Sequence, residues 1–177
     1  MGKGTLIRAL LDRLPELRLS VSATTRPPRA GERDGVEYHF LTPGEFERRV
    51  AGGEFVEHAS YSGHRYGTLR SEVDRAADGL VLEIELQGAR QVRSALPEAV
   101  QVFIAPPSLE ALRERLVGRA SERPEQIESR LARAREELAA RDEFPHVVVN
   151  DSLPRAVEEL TGLVASIKAE RTRSRTE

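Results

Sequence analysis

A chain of 177 residues is long enough for one compact domain with a sizeable core. Its 27 Lys+Arg against 29 Asp+Glu leave a formal net charge of −2, which excludes a sequence-wide electrostatic drive toward nucleic acid or an anionic membrane but permits local basic sites for phosphorylated ligands. There are no cysteines, which excludes disulfides, thiolate catalysis and zinc–thiolate centres, and no apolar run approaches the roughly 18 residues of a membrane span, so a soluble cytoplasmic protein is expected.

Residues 5–14 read as an amphipathic helix, with Leu6, Leu10 and Leu14 on one stripe beside Ile7 and Leu11, ended by Pro15. Arg18 to Ser22 is a short strand. Residues 23–37 lack apolar periodicity and carry loop chemistry: Pro27, Pro28, Gly31 and Gly35. Tyr38 to Leu41 is a strand. Thr42 before Pro43 predicts a capped helix running to Ala51 and stopping at Gly52-Gly53. Glu54 to His58 is a further strand, and a polar loop through Gly63 and Gly67 is expected after it.

Leu80 to Leu86 predicts a buried parallel strand with acids at its C-terminal end, followed by a helix over 87–96. Val100 to Ala105 is a strong buried strand closed by Pro106-Pro107. Ser108 caps a helix through Val117, and residues 118–124 form a polar break. Residues 125–141 predict a long charged helix with little apolar stripe, largely exposed. Val147 to Val149 is a short strand, and Asn150-Asp151-Ser152 leads into a last helix reaching about Glu170. Strands alternating with helices imply an α/β fold with a parallel sheet. The stretch from about Ser22 to Gly79 has the shorter elements of a smaller subdomain.

Gly2-Lys3-Gly4-Thr5 stands at the start of the first helix. In a phosphate loop, glycines let backbone N–H groups approach phosphate oxygens, the helix N-terminus favours negative charge, and the lysine bridges the outer phosphates. The full motif also needs an earlier glycine and a preceding hydrophobic strand, neither of which stands ahead of Gly2. The four histidines, His39, His58, His64 and His146, show no metal-ligand spacing, and no metal-binding residue is predicted.

The run from Ser22 to Glu32, Ser-Ala-Thr-Thr-Arg-Pro-Pro-Arg-Ala-Gly-Glu, closely resembles the signature of guanylate kinases. Gly35 to Phe40, Glu54 to Glu57, Tyr66-Gly67-Thr68, Glu83 to Gly88, Phe103 to Ser108 and Val149-Asn150-Asp151 fit the same family in the same order. Each piece is short, but the ordered set spans residues 2 to about 168 and is specific. The resemblance implies a three-layer P-loop kinase fold with a parallel core sheet lacking its first strand. It implies a core of residues 1–21, 80–113 and 143–177, a GMP-binding subdomain of residues 22–79 and a helical lid of residues 114–142. It implies ATP-dependent phosphorylation of GMP or dGMP with Mg²⁺; the charge balance and the lack of an apolar span predict no nucleic-acid or membrane partner. Family members carry a strand and Gly-Pro-Ser-Gly ahead of the matched residues, so an N-terminally truncated copy, from a start assigned too late, is expected.

By the same resemblance, Gly2, Lys3, Gly4, Thr5 and Asn150 contact ATP, Asn150 at the adenine, although an Asn before a helix is equally a capping residue. Arg26, Arg29, Tyr38 and Tyr66 hold the GMP phosphate, where paired guanidiniums suit a dianion through charge-assisted hydrogen bonds. Glu57 reads guanine, whose N1–H and 2-amino group are two donors for two carboxylate oxygens. Adenine lacks the N1 donor and would leave the acid unpaired. Ser22 and Thr68 are hydroxyl donors to guanine, although a local backbone bond explains either hydroxyl equally well. Glu85 is a further site residue and Glu83 a weaker one, each standing where the family usually has Asp. Arg119 and Arg130, with Arg133 behind them, are the lid arginines that neutralise developing charge alongside Lys3 and Arg26. The competing readings are a guanylate-kinase-like module that binds peptides, a catalytically impaired fragment, and a kinase for a phosphorylated sugar. The set Glu57, Ser22 and Thr68 argues against the last.

Overall fold

The computed structural model describes residues 2–76, 79–118 and 124–174. In chain order the elements begin with helix α1 (Lys3–Arg13) and strands β1 (Arg18–Leu19), β2 (Ala23–Thr24) and β3 (His39–Phe40). Helix α2 (Pro43–Ala51), strands β4 (Phe55–Tyr61) and β5 (His64–Leu69), helix α3 (Arg70–Asp74) and strand β6 (Leu80–Val81) follow. The rest is α4 (Leu86–Ala95), β7 (Val102–Ala105), α5 (Leu109–Val117), α6 (Pro124–Ala139), a 3-10 turn at Arg141–Glu143, β8 (His146–Val149) and α7 (Leu153–Ser174). The fold is mixed α/β, and it divides into two compact units: Met1–Leu14 with Val100–Glu177, and Pro15–Ala99.

In the first unit, β7 and β8 pair in parallel from Val102↔His146 to Ala105↔Val149. The Asn150 N–H donates to Ala105 O at 2.8 Å, which carries the ladder one residue past β8. Helix α1 packs on α7, with Leu6 and Leu10 buried on one helix and Ala156, Val157 and Leu160 on the other. Ser108 caps α5 by accepting from the Ala111 N–H. The helix expected over 125–141 runs over Pro124–Ala139 and is largely exposed, as expected, but it carries an apolar stripe that its charged sequence hides. Ile127, Leu131 and Ala134 of α6 recur at i, i+4 and i+7 and bury against Leu112 and Leu116 of α5. A stripe of three such residues is enough to seat a helix whose remaining faces are charged.

In the second unit, β1 and β6 pair in parallel. A separate four-stranded sheet has the order β3-β2-β5-β4, parallel between β2 and β3 and antiparallel elsewhere. The strand predicted over 80–86 is shorter than expected, because Glu85 is the N-cap of α4 and the helix begins at Leu86. The polar loop expected through Gly67 is instead β5. Ser62 and Gly63, with φ of 50° and 80°, form the two-residue turn of a β4–β5 hairpin, because both positions take the left-handed conformation that matches strand twist. Helix α2 starts as predicted at a full capping box, with Thr42 accepting from the Glu45 N–H and Glu45 accepting from the Thr42 N–H. Its Phe46 stacks on Phe55 at 4.5 Å between ring centroids and is fully buried with Ala23 and Leu69.

Candidate functional site

The predicted base-reading acid is aimed by an irregularity in its strand. Phe55 pairs with Leu69 but Glu57 pairs with Thr68, so two steps along β4 match one step along β5. Side chains alternate faces along a strand; without the bulge at Val56, Glu57 would share Phe55's face and enter the aromatic cluster under α2. The bulge turns it to the opposite face, with Thr68, and bulges next to functional sites commonly re-aim a side chain in this way. Glu57 is 5% exposed and Thr68 is 1% exposed. The Thr68 hydroxyl donates to Glu57 Oε1 at 2.8 Å. Burial pushes the Glu57 carboxyl above the ordinary range, the bonds from Thr68 pull it back in part, and the charge of Glu85 adds to the rise. The result is a buried carboxylate held by Thr68 and suited to a ligand edge that brings donors of its own.

On the same face of the sheet, aromatic rings run across the strands. Tyr61 meets Tyr66, Tyr66 meets Tyr38, and Tyr38 meets Phe40 at 5.8–6.2 Å. The Arg26 guanidinium lies over the Tyr38 ring at 5.2 Å and over Phe40 at 5.9 Å. Three predicted phosphate-end residues, Arg26, Tyr38 and Tyr66, are therefore together. Arg29 is exposed in the adjoining loop, and its backbone N–H donates to Glu32 Oε2 at 2.7 Å. Glu32, to which the family resemblance assigns no role, is the organiser here. Its Oε1 pairs with Arg26 at 2.8 Å, so one acid fixes the guanidinium of Arg26 and the backbone of Arg29. The hydrogen bond from Arg26 holds the Glu32 carboxyl below the usual range, with the Arg29 N–H second. Thr24, fully buried, accepts from the Arg26 N–H at 3.1 Å and donates to Arg65 O at 3.0 Å. The Arg-Pro-Pro-Arg spacing offers no signal for either residue, because both act through the folded shape of the loop.

Ser22 lies between β1 and β2, and its carbonyl accepts from the His39 N–H at 2.9 Å. Just before it, the Val21 N–H donates to Glu72 Oε2 at 3.1 Å, and His39 Nε2 lies 3.4 Å from Glu72 Oε1. Glu72 is 3% exposed. Burial pushes its carboxyl upward, but the Val21 N–H, His39 and Arg18 outweigh that and hold it below the ordinary value. Glu85 is half-buried at the N-cap of α4 and Glu83 is exposed.

In the first unit, Gly2 takes φ 73° as the N-cap of α1, with no side-chain cap on the helix. Lys3 is the first helical residue and is half-buried, as is Gly4, while Thr5 is exposed. A Cβ on Gly2 would stand 3.1 Å from Asn150 Nδ2, so the helix start and Asn150 adjoin. Asn150 is 6% exposed. Arg115, near the end of α5, donates to Asn150 O at 2.9 Å and to Asp151 O at 3.1 Å, tying α5 to the β8–α7 loop. Nothing in the sequence distinguishes Arg115, which is one arginine among many on charged helices. Arg130 is exposed and Arg133 half-buried on α6; Arg119 lies outside the described residues. Among the described residues no cluster of three metal-ligating acids or histidines occurs, and no helix is long and apolar enough to cross a membrane.

A family model described as guanylate kinase matches residues 1–167. The chain is 56% identical to a guanylate kinase of Frankia casuarinae over 167 residues, which cover 93% of this chain and 91% of the relative. It is 53% identical to a guanylate kinase of Cutibacterium acnes, covering 93% and 85% respectively. Its fold superposes on the crystal structure of guanylate kinase from Anaplasma phagocytophilum with a TM-score of 0.73 and 31% identity, over 94% of this chain and 80% of that one.

Proposed function

This chain belongs to the guanylate kinase family, and from that premise we propose that it transfers the terminal phosphoryl group of ATP to GMP or dGMP, in purine nucleotide metabolism in the cytoplasm. The observation that carries the substrate assignment is the buried Glu57 carboxylate held by Thr68. Guanine presents N1–H and a 2-amino group to it. Adenine, with no N1 donor, would leave the acid desolvated and unpaired, a penalty of about 1–3 kcal/mol or more for a charged group. Ser22, Thr68 and Glu85 complete the base site.

Arg26, Arg29, Tyr38 and Tyr66 take the GMP phosphate. Arg26 is held over Tyr38 by Glu32, so little side-chain entropy is lost when the anion arrives. Gly2, Lys3, Gly4 and Thr5 take the ATP phosphates at the α1 N-terminus, and Asn150 takes the adenine. Lys3, Arg26, Arg119 and Arg130 stabilise the charge that develops on the transferred group, since phosphoryl transfer asks the protein for positioning and electrostatics rather than a covalent group. Residues 22–79 form the GMP-binding subdomain and residues 114–142 the lid.

Mg²⁺ fits the donors present. A hard cation held mainly by phosphate oxygens and water needs only one or two protein oxygens, and the Thr5 hydroxyl stands exposed in the first turn of α1. When bound, the ion neutralises phosphate charge.

The test is ADP formation from ATP by this chain with GMP, dGMP, AMP or no acceptor. Turnover with GMP and dGMP is expected and turnover with AMP is not. Equal rates with GMP and AMP, or GMP-independent ADP formation alone, would refute the assignment.

A further inference from the structure

The base-reading acid is not held by β4 alone. Helix α4 lies against β4 and presents Glu85, Gly88 and Gln91, spaced three apart along one side of a helix. The Gln91 side-chain amide pairs with both backbone groups of His58, the residue after Glu57. The His58 N–H donates to Gln91 Oε1 at 3.1 Å, and Gln91 Nε2 donates to His58 O at 2.8 Å. β4 is the edge strand of its sheet, so Gln91 takes the hydrogen-bonding place of a missing neighbour strand.

One turn earlier, Gly88 is packed on the carboxylate itself. A Cβ at Gly88 would stand 2.5 Å from Glu57 Oε2 and 3.1 Å from its carboxyl carbon. Glu57 has little room to yield, because Thr68 holds its other oxygen and the residue is 5% exposed.

We propose that Gln91 is a positioning residue for base specificity: it sets the height of α4 on β4, so that Gly88 supports Glu57 Oε2 while Thr68 fixes Oε1. This rests on the reading of Glu57 as the guanine acid. A carboxylate serves two donors at once only when both oxygens lie in the plane and at the distance of the base edge, and a displacement of a fraction of an ångström loses the second bond before the first. The ladder to β5 does not supply this by itself, since the bulge breaks its register at Val56, immediately before Glu57. The amide of Gln91 restores a fixed partner one residue later.

The experiment compares GMP with inosine monophosphate, which keeps N1–H and lacks the 2-amino group. Wild type, Gln91→Met, Gly88→Ala and Glu57→Gln are assayed for kcat/KM with each acceptor and for the KM of ATP. Loss of one bond to a charged group corresponds to roughly tenfold or more. In both Gln91→Met and Gly88→Ala the preference for GMP over inosine monophosphate should fall by about that factor, with the KM of ATP unchanged. A merely structural role would lower activity with both acceptors equally, and that result overturns the inference, as does a wild-type preference in Gln91→Met. Should Gln91→Met fail to fold, Gly88→Ala decides, because alanine is favoured within a helix; a wild-type preference there overturns the inference. A preference that survives Glu57→Gln would instead overturn the base-reading assignment itself. Collapse in Glu57→Gln with none in the other two would leave that assignment standing and remove the role of α4.

Discussion

Replacing Glu57 by glutamine should damage substrate recognition and stabilise the fold, and the stability gain should depend on pH in a defined direction. The carboxyl is 5% exposed, and Thr68 is its side-chain donor. Burial, followed in effect by the charge of Glu85, leaves its pKa above the ordinary glutamate value. A carboxyl raised on folding contributes its full stability below the unfolded pKa, and that contribution is lost as pH rises through the folded value. Glutamine is nearly isosteric with the protonated acid and does not ionise. The two proteins should therefore melt together near pH 4, and the variant should gain progressively above it. The scale is that of one poorly partnered buried polar group, about 1–3 kcal/mol, or roughly 2–12 °C in Tm for a domain of this length.

Thermal melts by circular dichroism between pH 4 and pH 8 read the difference directly. Added GMP should reverse the order, because its donors bind the ionised acid in the wild type and find only one acceptor in the variant. Each bond to the charged group is worth about 1.5–3 kcal/mol, so GMP affinity should fall by roughly 10–100-fold. A Tm difference that stays constant from pH 4.5 to pH 8, or one that favours the wild type at pH 8, would refute the reasoning.

Glu72 should behave with the opposite sign. Its carboxyl lies below the ordinary value in the folded state, so its contribution is present above the unfolded pKa and is lost as pH falls through the folded one. Glu72→Gln should lower stability by about 1–2 kcal/mol near neutral pH, a deficit that closes in acid; denaturant midpoints at pH 7 and pH 4 check it. Gly67→Ala should destabilise by about 1–3 kcal/mol, because the added Cβ would stand 2.7 Å from Glu57 O and 2.8 Å from the Phe55 ring; an unchanged chemical-denaturation midpoint would show that the hairpin can open there. Arg115→Ala removes two bonds to the carbonyls of Asn150 and Asp151 and should weaken ATP binding several-fold with GMP binding intact, as read by calorimetry; equal losses for both nucleotides would contradict it. Thr42→Ala breaks the α2 capping box and should lower stability by about 1 kcal/mol, measured by the same melts.

Much of the local structure was legible because it depends on neighbours in the chain. The α2 and α5 helices begin where Thr42 and Ser108 predict, because a capping hydroxyl needs only the amide three residues on. The buried strand ending at Ala105 and the stripe of Leu6 and Leu10 follow from runs of apolar residues. Errors arose where distant residues decide. His64–Leu69 is too polar to look like a strand, yet its pairing with β4 and β2 makes it one. The three apolar residues of α6 were hidden among charges until α5 gave them a surface to cover.

The candidate site divides in the same way. The sequence by itself determined the family and the residue types that suit a guanine base and a phosphate, because these rest on ordered short motifs from Ser22 to Asp151. Only the tertiary structure decided how those residues act. The bulge at Val56 turns Glu57 away from the aromatic core, Glu32 ties Arg26 to the Arg29 backbone, and Gly88 and Gln91 bring α4 onto the acid. Motifs record which groups are present. A carboxylate's direction and protonation depend instead on burial and on partners some thirty to fifty residues away in the chain, and these exist only once the chain has folded.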